Sequence, residues 1–558
     1  MRRTRCVRLK NSGATGGKSA TKASARKIPR VHFIGRRNNM GIYFNPKNRS
    51  FSKDRNYEIY VDKTGLLSFL NKAIDTPKNC IAVSHARRFG KSHAAGMIDA
   101  YYSLGSDSSK LFEDTKIASD PDYEKYRNKY NVIHLDISSF FDDYKDNLIE
   151  KIVEYIYDDI TDELGNILDY KKKLSYALMK IYEKTEIPFV IIIDEWDCVI
   201  RNSNDQALVH KYLQFLHSLF KSEESKSFLA LGYITGILPI KKIKDESALN
   251  NFQEYTMLDS YPITEYYGFT EDEVKELCQK YDMDFETMKA WYNGYLIDGM
   301  HMYNPNSVSR ALERHKVDSY WRNTSAFGTI NTFITMNYAG LKEDVLAMLT
   351  GEKVMVNTNT FQNDFSMIAS KSDVLTALIH LGYLGYDADM KSAYIPNYEV
   401  ATAFESALQT GSWKEIAASI SRCDELLIAT INKNAEKVAE LIELAHETYT
   451  SVLKYNDENS LSCVLTMAYF TAPAYYNIIR EMPSGKGFAD FVFLPRANAG
   501  NRPAMIVELK HNQTADAAIT QIKEKRYHGA LSEYKGKILL VGINYDTEKH
   551  HTCIIEEY

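Results

Sequence analysis

No run of about 18 consecutive apolar residues occurs in the sequence, so no membrane-spanning helix and no membrane partner are expected. Cysteine is scarce. The seven residues (Cys6, Cys80, Cys198, Cys278, Cys423, Cys463, Cys553) are scattered and odd in number, and no pair has zinc-ligand spacing. That excludes a disulfide framework or zinc ribbon and fits a reduced, cytoplasmic setting. Acidic residues are missing from residues 1–39, which hold twelve Lys or Arg. No apolar segment follows those charges, which excludes a secretory signal. The chain as a whole carries −5, so residues 40–558 carry −17. An acidic body argues against a nucleic-acid surface covering the whole protein, though not against a local basic groove. No internal repeat is evident.

The basic segment is rich in Ser, Gly and Ala, lacks hydrophobic periodicity and reads as disordered. Three explanations stand side by side: a nucleic-acid-binding arm, a transit peptide, or a stretch upstream of a true start at Met40, where ordered-looking sequence begins abruptly.

What is present starts with length. A chain of 558 residues is too long for one hydrophobic core and calls for two to four domains. Cys80-Ile-Ala-Val-Ser84 reads as a buried strand, His85-Ala-Arg-Arg-Phe-Gly-Lys-Ser92 as a loop, and a helix follows to about Leu104. Backbone N–H groups at such a helix start cradle phosphate, with the helix dipole favouring the anion. Lys91 would reach the outer phosphates of ATP, and Ser92 would hold Mg2+. Arg87, Arg88, Phe89 and Gly90 complete the binding loop, Arg87 and Arg88 adding positive charge. Gly-Lys-Ser alone is weak, since a chance tripeptide at a helix start reads the same. The usual first loop glycine is replaced by His85, a bulk expected to alter the loop's backbone angles.

Pro188-Phe-Val-Ile-Ile-Ile-Asp-Glu195 strengthens the reading. Its apolar run marks a buried parallel strand with two carboxylates at its tip. Asp194 would complete the magnesium shell, and Glu195 would orient or deprotonate the attacking water. An ordinary strand with a solvated acidic end is the plainer alternative. Asn131–Ser138 and Phe228–Gly236 are further strands separated by helical segments, which implies a parallel sheet with helices on both faces. Thr235, at the end of a neighbouring strand, is expected to sense the terminal phosphate, although such a residue is more often a turn former.

Met40-Gly-Ile-Tyr, Ile59-Tyr-Val-Asp-Lys-Thr-Gly65, Arg87–Ser92, Ile193-Asp-Glu-Trp-Asp197, Gly268–Val274, Trp291-Tyr-Asn-Gly-Tyr295 and Tyr303–Val308 together resemble the bacterial AAA-ATPase-like family, often fused to a nuclease-like C-terminal domain. The loop without its first glycine is the form that resemblance implies. Thr270 with Glu273 reads as a capping box. The Trp291–Tyr295 segment is either a base-stacking platform or, more plainly, a packed turn under the ATPase. Residues 330–450 read as a helical linker region, a spacer or partner-binding segment without a catalytic constellation.

Toward the C-terminus the pattern is helix (459–470), strand (475–480), strand (488–494), strand (504–510), helix (514–529) and a final strand (537–543). Glu508 and Lys510, two apart on one strand, share a face, with Asp490 on the neighbouring strand. Asp490 and Glu508 suit a hard cation such as Mg2+, which would activate water against a phosphodiester. Lys510 would stabilise developing charge. Glu458 is a further metal ligand candidate and Gln521 a candidate for orienting the site. The arrangement resembles the PD-(D/E)xK nuclease superfamily, with Ala489 where a Pro often precedes the Asp. A salt-bridged hairpin in an inactive domain is the alternative.

The expected architecture is α/β. It comprises a disordered stretch (1–39), a P-loop NTPase parallel-sheet domain (40–329), the helical linker (330–450) and a restriction-endonuclease-like domain (451–558). The expected function is an ATPase coupled to Mg2+-dependent cleavage of DNA or RNA. The alternative is a nucleotide-dependent regulatory or scaffold protein that binds DNA without cutting it. A homo-oligomer is compatible with this organisation, although no arginine finger stands out.

Overall fold

The computed structural model describes residues 41–165, 173–240, 249–320, 326–336, 338–363, 368–410, 422–453, 458–484, 487–496, 499–525, 531, 534–546 and 550–558. The basic segment, Met40 and residues 526–529 of the expected C-terminal helix lie outside these residues.

The first sheet is built from β1 (Cys80–Ser84), β2 (Asn131–Asp136), β3 (Phe189–Asp194), β4 (Leu229–Gly236) and β5 (Gln253–Thr256), in the order β2-β3-β4-β1-β5. All its pairs are parallel. β4 lies between the phosphate-loop strand and the Asp-Glu strand. β1, β3 and β4 are buried throughout, as strands covered on both faces must be. Alternate residues serve opposite faces. Ile81, Val83, Val190 and Ile192 meet the helix Lys91–Tyr102, and Ala82, Ile191 and Ile193 meet the helices Leu148–Leu164, Leu174–Thr185 and Gln206–Phe220.

Next comes a small antiparallel sheet of β6 (Phe269–Thr270), β7 (Tyr295–Ile297) and β8 (Met300–Tyr303) with the helices Glu271–Lys280, Phe285–Tyr292 and Pro305–Arg314. The capping box is formed: Thr270 Oγ1 accepts from Glu273 N, and Glu273 Oε2 accepts from Thr270 N at 2.8 Å. The Trp291–Tyr295 segment is a packed turn. Trp291 stacks edge-on against Tyr398 at 4.8 Å, and Tyr295 Oη donates to Gly382 O at 2.8 Å. Gly294, at φ +110°, has the Pro396 carbonyl where a Cβ would stand.

Residues 330–450 are not a spacer. Besides helices they carry β9 (Val354–Met355), β10 (Gly385–Asp387) and β11 (Ser392–Tyr394). Val345, Leu378, Phe404 and Leu441 belong to one core that reaches Phe89 on one side and Phe491, Val507 and Val541 on the other. The boundary expected at 450 falls inside the helix Ala435–Leu453. Apolar spacing in those helices marks burial but not the partner, and the partners are the flanking domains.

The C-terminal sheet is β12 (Tyr476–Ser484), β13 (Gly487–Pro495), β14 (Ala504–His511), β15 (Ile538–Tyr545) and β16 (His551–Glu557), in that order. Only β14 and β15 pair in parallel, and the crossover they require contains the helix Ala515–Glu524. β16 is an additional antiparallel strand, so 537–543 is not the last one. Gly542 pairs with Glu508 and lets this helix approach, because a Cβ there would overlap Ala515 O. Gly542→Ala should therefore lower stability by about 1–3 kcal/mol through overpacking, measured as a urea midpoint. A midpoint equal to wild type would contradict the close approach.

Candidate active sites

Lys91 opens the helix that follows β1, and Gly90 caps it at φ +86°. The loop dispenses with its first glycine for a backbone reason. His85 continues the strand, donating its N–H to Gly236 O at 3.1 Å, and is not left-handed. The left-handed positions are Arg88, at φ +70°, and Gly90. His85 is wholly buried, with Nε2 against Ser260 Oγ, and it packs 5.1 Å from the Tyr267 ring. Phe89, expected within the binding loop, turns its side chain into the core, 5.2 Å from Tyr295, and contributes backbone.

A cavity of about 560 Å³ is lined by Arg87, Arg88, Gly90, Lys91, Ser92, Asp136, Asp194, Glu195 and Arg201, among others. Lys91 Nζ donates to the carbonyls of His85 and Ala86, each at 2.9 Å. Burial lowers its pKa, opposed by Glu195, Asp194 and Asp197. Asp194 Oδ1 accepts from Glu195 N at 3.0 Å and from the Thr235 hydroxyl. Thr235 is fully buried and does not line the cavity, so it orients Asp194 rather than meeting a phosphate directly. Glu195 sits at φ +53° and is ion-paired with Arg201 at 2.6 Å. Burial raises its pKa, and Lys91 opposes that shift.

A second cavity, of about 500 Å³, shares Arg88, Gly90 and His93 with the first. Its walls include Phe51, Tyr57, Tyr60, Met97 and Phe269, with Arg310 from the helix Pro305–Arg314. Burial, and then Arg310, hold the Arg88 guanidinium below its usual range. These walls come from distant segments, and no local pattern in the sequence marks them.

In the C-terminal sheet Asp490 lies one step beyond the Phe491–Val507 pair, opposite Glu508. Asp490 Oδ2 accepts from Leu509 N at 2.7 Å. Glu508 is buried. Its Oε1 accepts from Lys510 Nζ at 3.0 Å and from the Gln521 side chain, while Oε2 is buried without a hydrogen-bond partner among the described residues. Burial, and then Asp490, push Glu508 up to about 7. Glu458 opens the helix Glu458–Ala468, but its side chain lies outside the described residues. Among the described residues no three His, Cys, Asp or Glu side chains converge as a metal-binding group.

Fold and site together define a class: a P-loop NTPase joined to a restriction-endonuclease-like α/β domain. Residues 49–244 match the family model described as predicted AAA-ATPase, and residues 456–555 match that of the PD-(D/E)XK nuclease superfamily. The chain is a fusion of these two families' domains. An uncharacterized protein in the vnfD 5′ region of Azotobacter chroococcum mcd 1 is 22% identical over 273 residues, 48% of this chain. The chain spans about half, 50%, of that relative's length. Among solved structures, the Aeropyrum pernix ORC2 protein (ADPNP-ADP complexes) aligns with a TM-score of 0.30 and 9% identity, over 66% of this chain and 98% of that one. Cdc6p from Pyrobaculum aerophilum aligns with a TM-score of 0.24 and 8% identity, over 62% of this chain and 92% of that one.

Burial, with Lys91 nearby, pushes the His85 imidazole down to about 3. The unfolded chain takes up this proton near its ordinary value of about 6.5, whereas the fold resists it until about 3. His85 therefore costs stability as pH falls through that window. The urea midpoint of His85→Gln should decline less steeply than wild type between those two values. Parallel declines would mean that His85 is not held neutral by the fold.

Proposed function

We propose that the chain binds and hydrolyses ATP at the Lys91 cavity and that its C-terminal domain cleaves a nucleic acid with Mg2+. One observation carries the first half: the P-loop lysine, Ser92, Asp194 and Glu195 border one cavity, which adjoins a second through Arg88, Gly90 and His93. The triphosphate suits the first cavity and the nucleoside the second. Arg88, which lines both cavities, offers the phosphates a guanidinium that is not ion-paired among the described residues, and Arg310 lines the second cavity. Ser92, exposed at the cavity, and Asp194, whose Oδ2 has no hydrogen bond among the described residues, fit Mg2+. When bound, the ion supplies neutralisation of phosphate charge. Lys91 exchanges its two carbonyl partners for phosphate oxygens, and Glu195 receives a proton from the attacking water.

At the second site the Oε2 of Glu508, without a partner among the described residues, and the nearby Asp490 carboxylate fit a hard cation, because a cation would offset the burial and the Asp490 charge that raise Glu508. When bound, Mg2+ supplies an activated water and polarises the phosphodiester. Lys510 and Gln521 hold Glu508 in place. The reading that the domain binds DNA without cutting it is favoured by a different observation: Lys510 and Gln521 already occupy Glu508 Oε1. Cys80, Cys198, Cys278 and Cys423 are buried free thiols, in keeping with a reducing, cytoplasmic setting. No helix of the described residues is long and apolar enough to cross a membrane.

Lys91→Ala should lower ATP turnover by about 100-fold or more, the scale of losing a preorganised electrostatic contact. Asp490→Ala should abolish Mg2+-dependent cleavage of DNA and RNA while sparing ATP turnover. Cleavage that persists in Asp490→Ala would overturn the nuclease assignment. Intact binding without cleavage by the wild type would establish the scaffold reading.

A further inference from the structure

Arg201 carries no motif, yet it is a buried charge held on two sides beside the ATP cavity. It comes from the short helix Cys198–Asn202, and its side chain is only 6% exposed. One edge of the guanidinium is mounted on Asp197, with Nε donating to Oδ2 at 2.7 Å. Asp197 is itself wholly buried and fixed. The same Oδ2 accepts from Leu238 N at 2.9 Å and Ile237 N at 3.3 Å, on the backbone just past β4. Gly236 keeps the space open, since a Cβ there would come within 2.6 Å of Asp197 Oδ1 and of the Trp196 ring. The other edge of Arg201 meets Glu195, Nη2 donating to Oε2 at 2.6 Å.

The Asp197–Arg201 pair has ordinary i,i+4 helix spacing, and helix stability would account for it. The Glu195 contact is different. It crosses six residues and engages a side chain that stands at a left-handed backbone position and lines the cavity. A planar guanidinium with two fixed edges transmits the position of one partner to the other, which a flexible ammonium does not.

We infer that Arg201 is a positioning residue for hydrolysis: mounted on Asp197, it holds Glu195 Oε2 so that Oε1 faces the attacking water. The inference rests on reading this cavity as an ATP-hydrolysis site. In the step served, the water oxygen bonds to the terminal phosphorus and the bond to the ADP oxygen breaks. One water proton passes to Glu195 Oε1 and is later released to solvent. Arg201 itself neither gives nor takes a proton.

The test is a mutant cycle on the full chain, reading steady-state ATP turnover with Mg2+. Glu195→Gln should lower kcat by about 100-fold, within the range for loss of a general base. Arg201→Met should lower kcat by about 10-fold or more while KM for ATP changes by less than about 3-fold, the signature of an interaction serving the transition state. Arg201→Lys should recover part of the loss. The double variant Glu195→Gln, Arg201→Met should turn over no more slowly than Glu195→Gln alone, because Arg201 acts through Glu195. If Arg201→Met does not fold, Arg201→Lys is read instead, with an intermediate kcat expected. A wild-type kcat in either variant, or a double variant whose losses multiply, would overturn the inference. Full turnover in Glu195→Gln is a separate failure: it would remove the hydrolysis reading and this inference with it.

Discussion

The packing of Phe89 under the phosphate loop is the contact on which the rest of the molecule depends. Its ring is fully buried against Tyr295, and its carbonyl accepts from Gly268 N at 3.0 Å. A loop that offers backbone N–H groups to phosphate cannot brace itself with its own backbone. This one is braced by the segment after the parallel sheet. Tyr295 is in turn anchored to Gly382, and the same core continues through Leu378 and Leu441 to the back of the C-terminal sheet at Val507 and Val541. The region between the two sites is therefore a shared interior, which makes one structural unit of the phosphate loop and the second sheet.

The two sites solve the problem of buried acid differently. At the first, Lys91 and Arg201 stand beside Asp194, Glu195 and Asp197, so the chain supplies its own counter-charges. At the second, burial and then Asp490 raise Glu508 while Lys510 opposes them, and Glu508 is left pushed up to about 7. A cation would relieve a buried carboxylate in that state, whereas the acids of the first site have Lys91 and Arg201 beside them. The first site sets protein charge against its acids, and the second leaves Glu508 raised.

What was legible in the sequence was local. Cys80–Ser84 and Phe189–Asp194 are uninterrupted apolar runs, and Glu508 and Lys510 stand two apart on a strand, so their elements and faces follow from short-range periodicity. The capping box at Thr270 is likewise a four-residue signal. What was not legible was long-range. Arg201 gains its meaning from Leu238, far along the chain, through Asp197. Thr235 stands at a strand end, as its sequence context implies, but its hydroxyl is spent on Asp194. The walls of the second cavity come from Phe51, Phe269 and Arg310. β16 escaped because His551-Thr-Cys-Ile-Ile-Glu-Glu557 mixes polar and apolar residues as an edge strand does. The segment 330–450 showed apolar spacing without showing what it packs against.

A shared interior has a direct thermodynamic consequence: the slowest-exchanging amides of the two sheets should open together. Hydrogen exchange under native conditions measures this, by comparing β3 and β4 with β14 and β15 across a urea series. Both sets should converge on one opening free energy. A C-terminal sheet that opens at a much lower free energy, with β3 and β4 still protected, would show two independent bodies and contradict it.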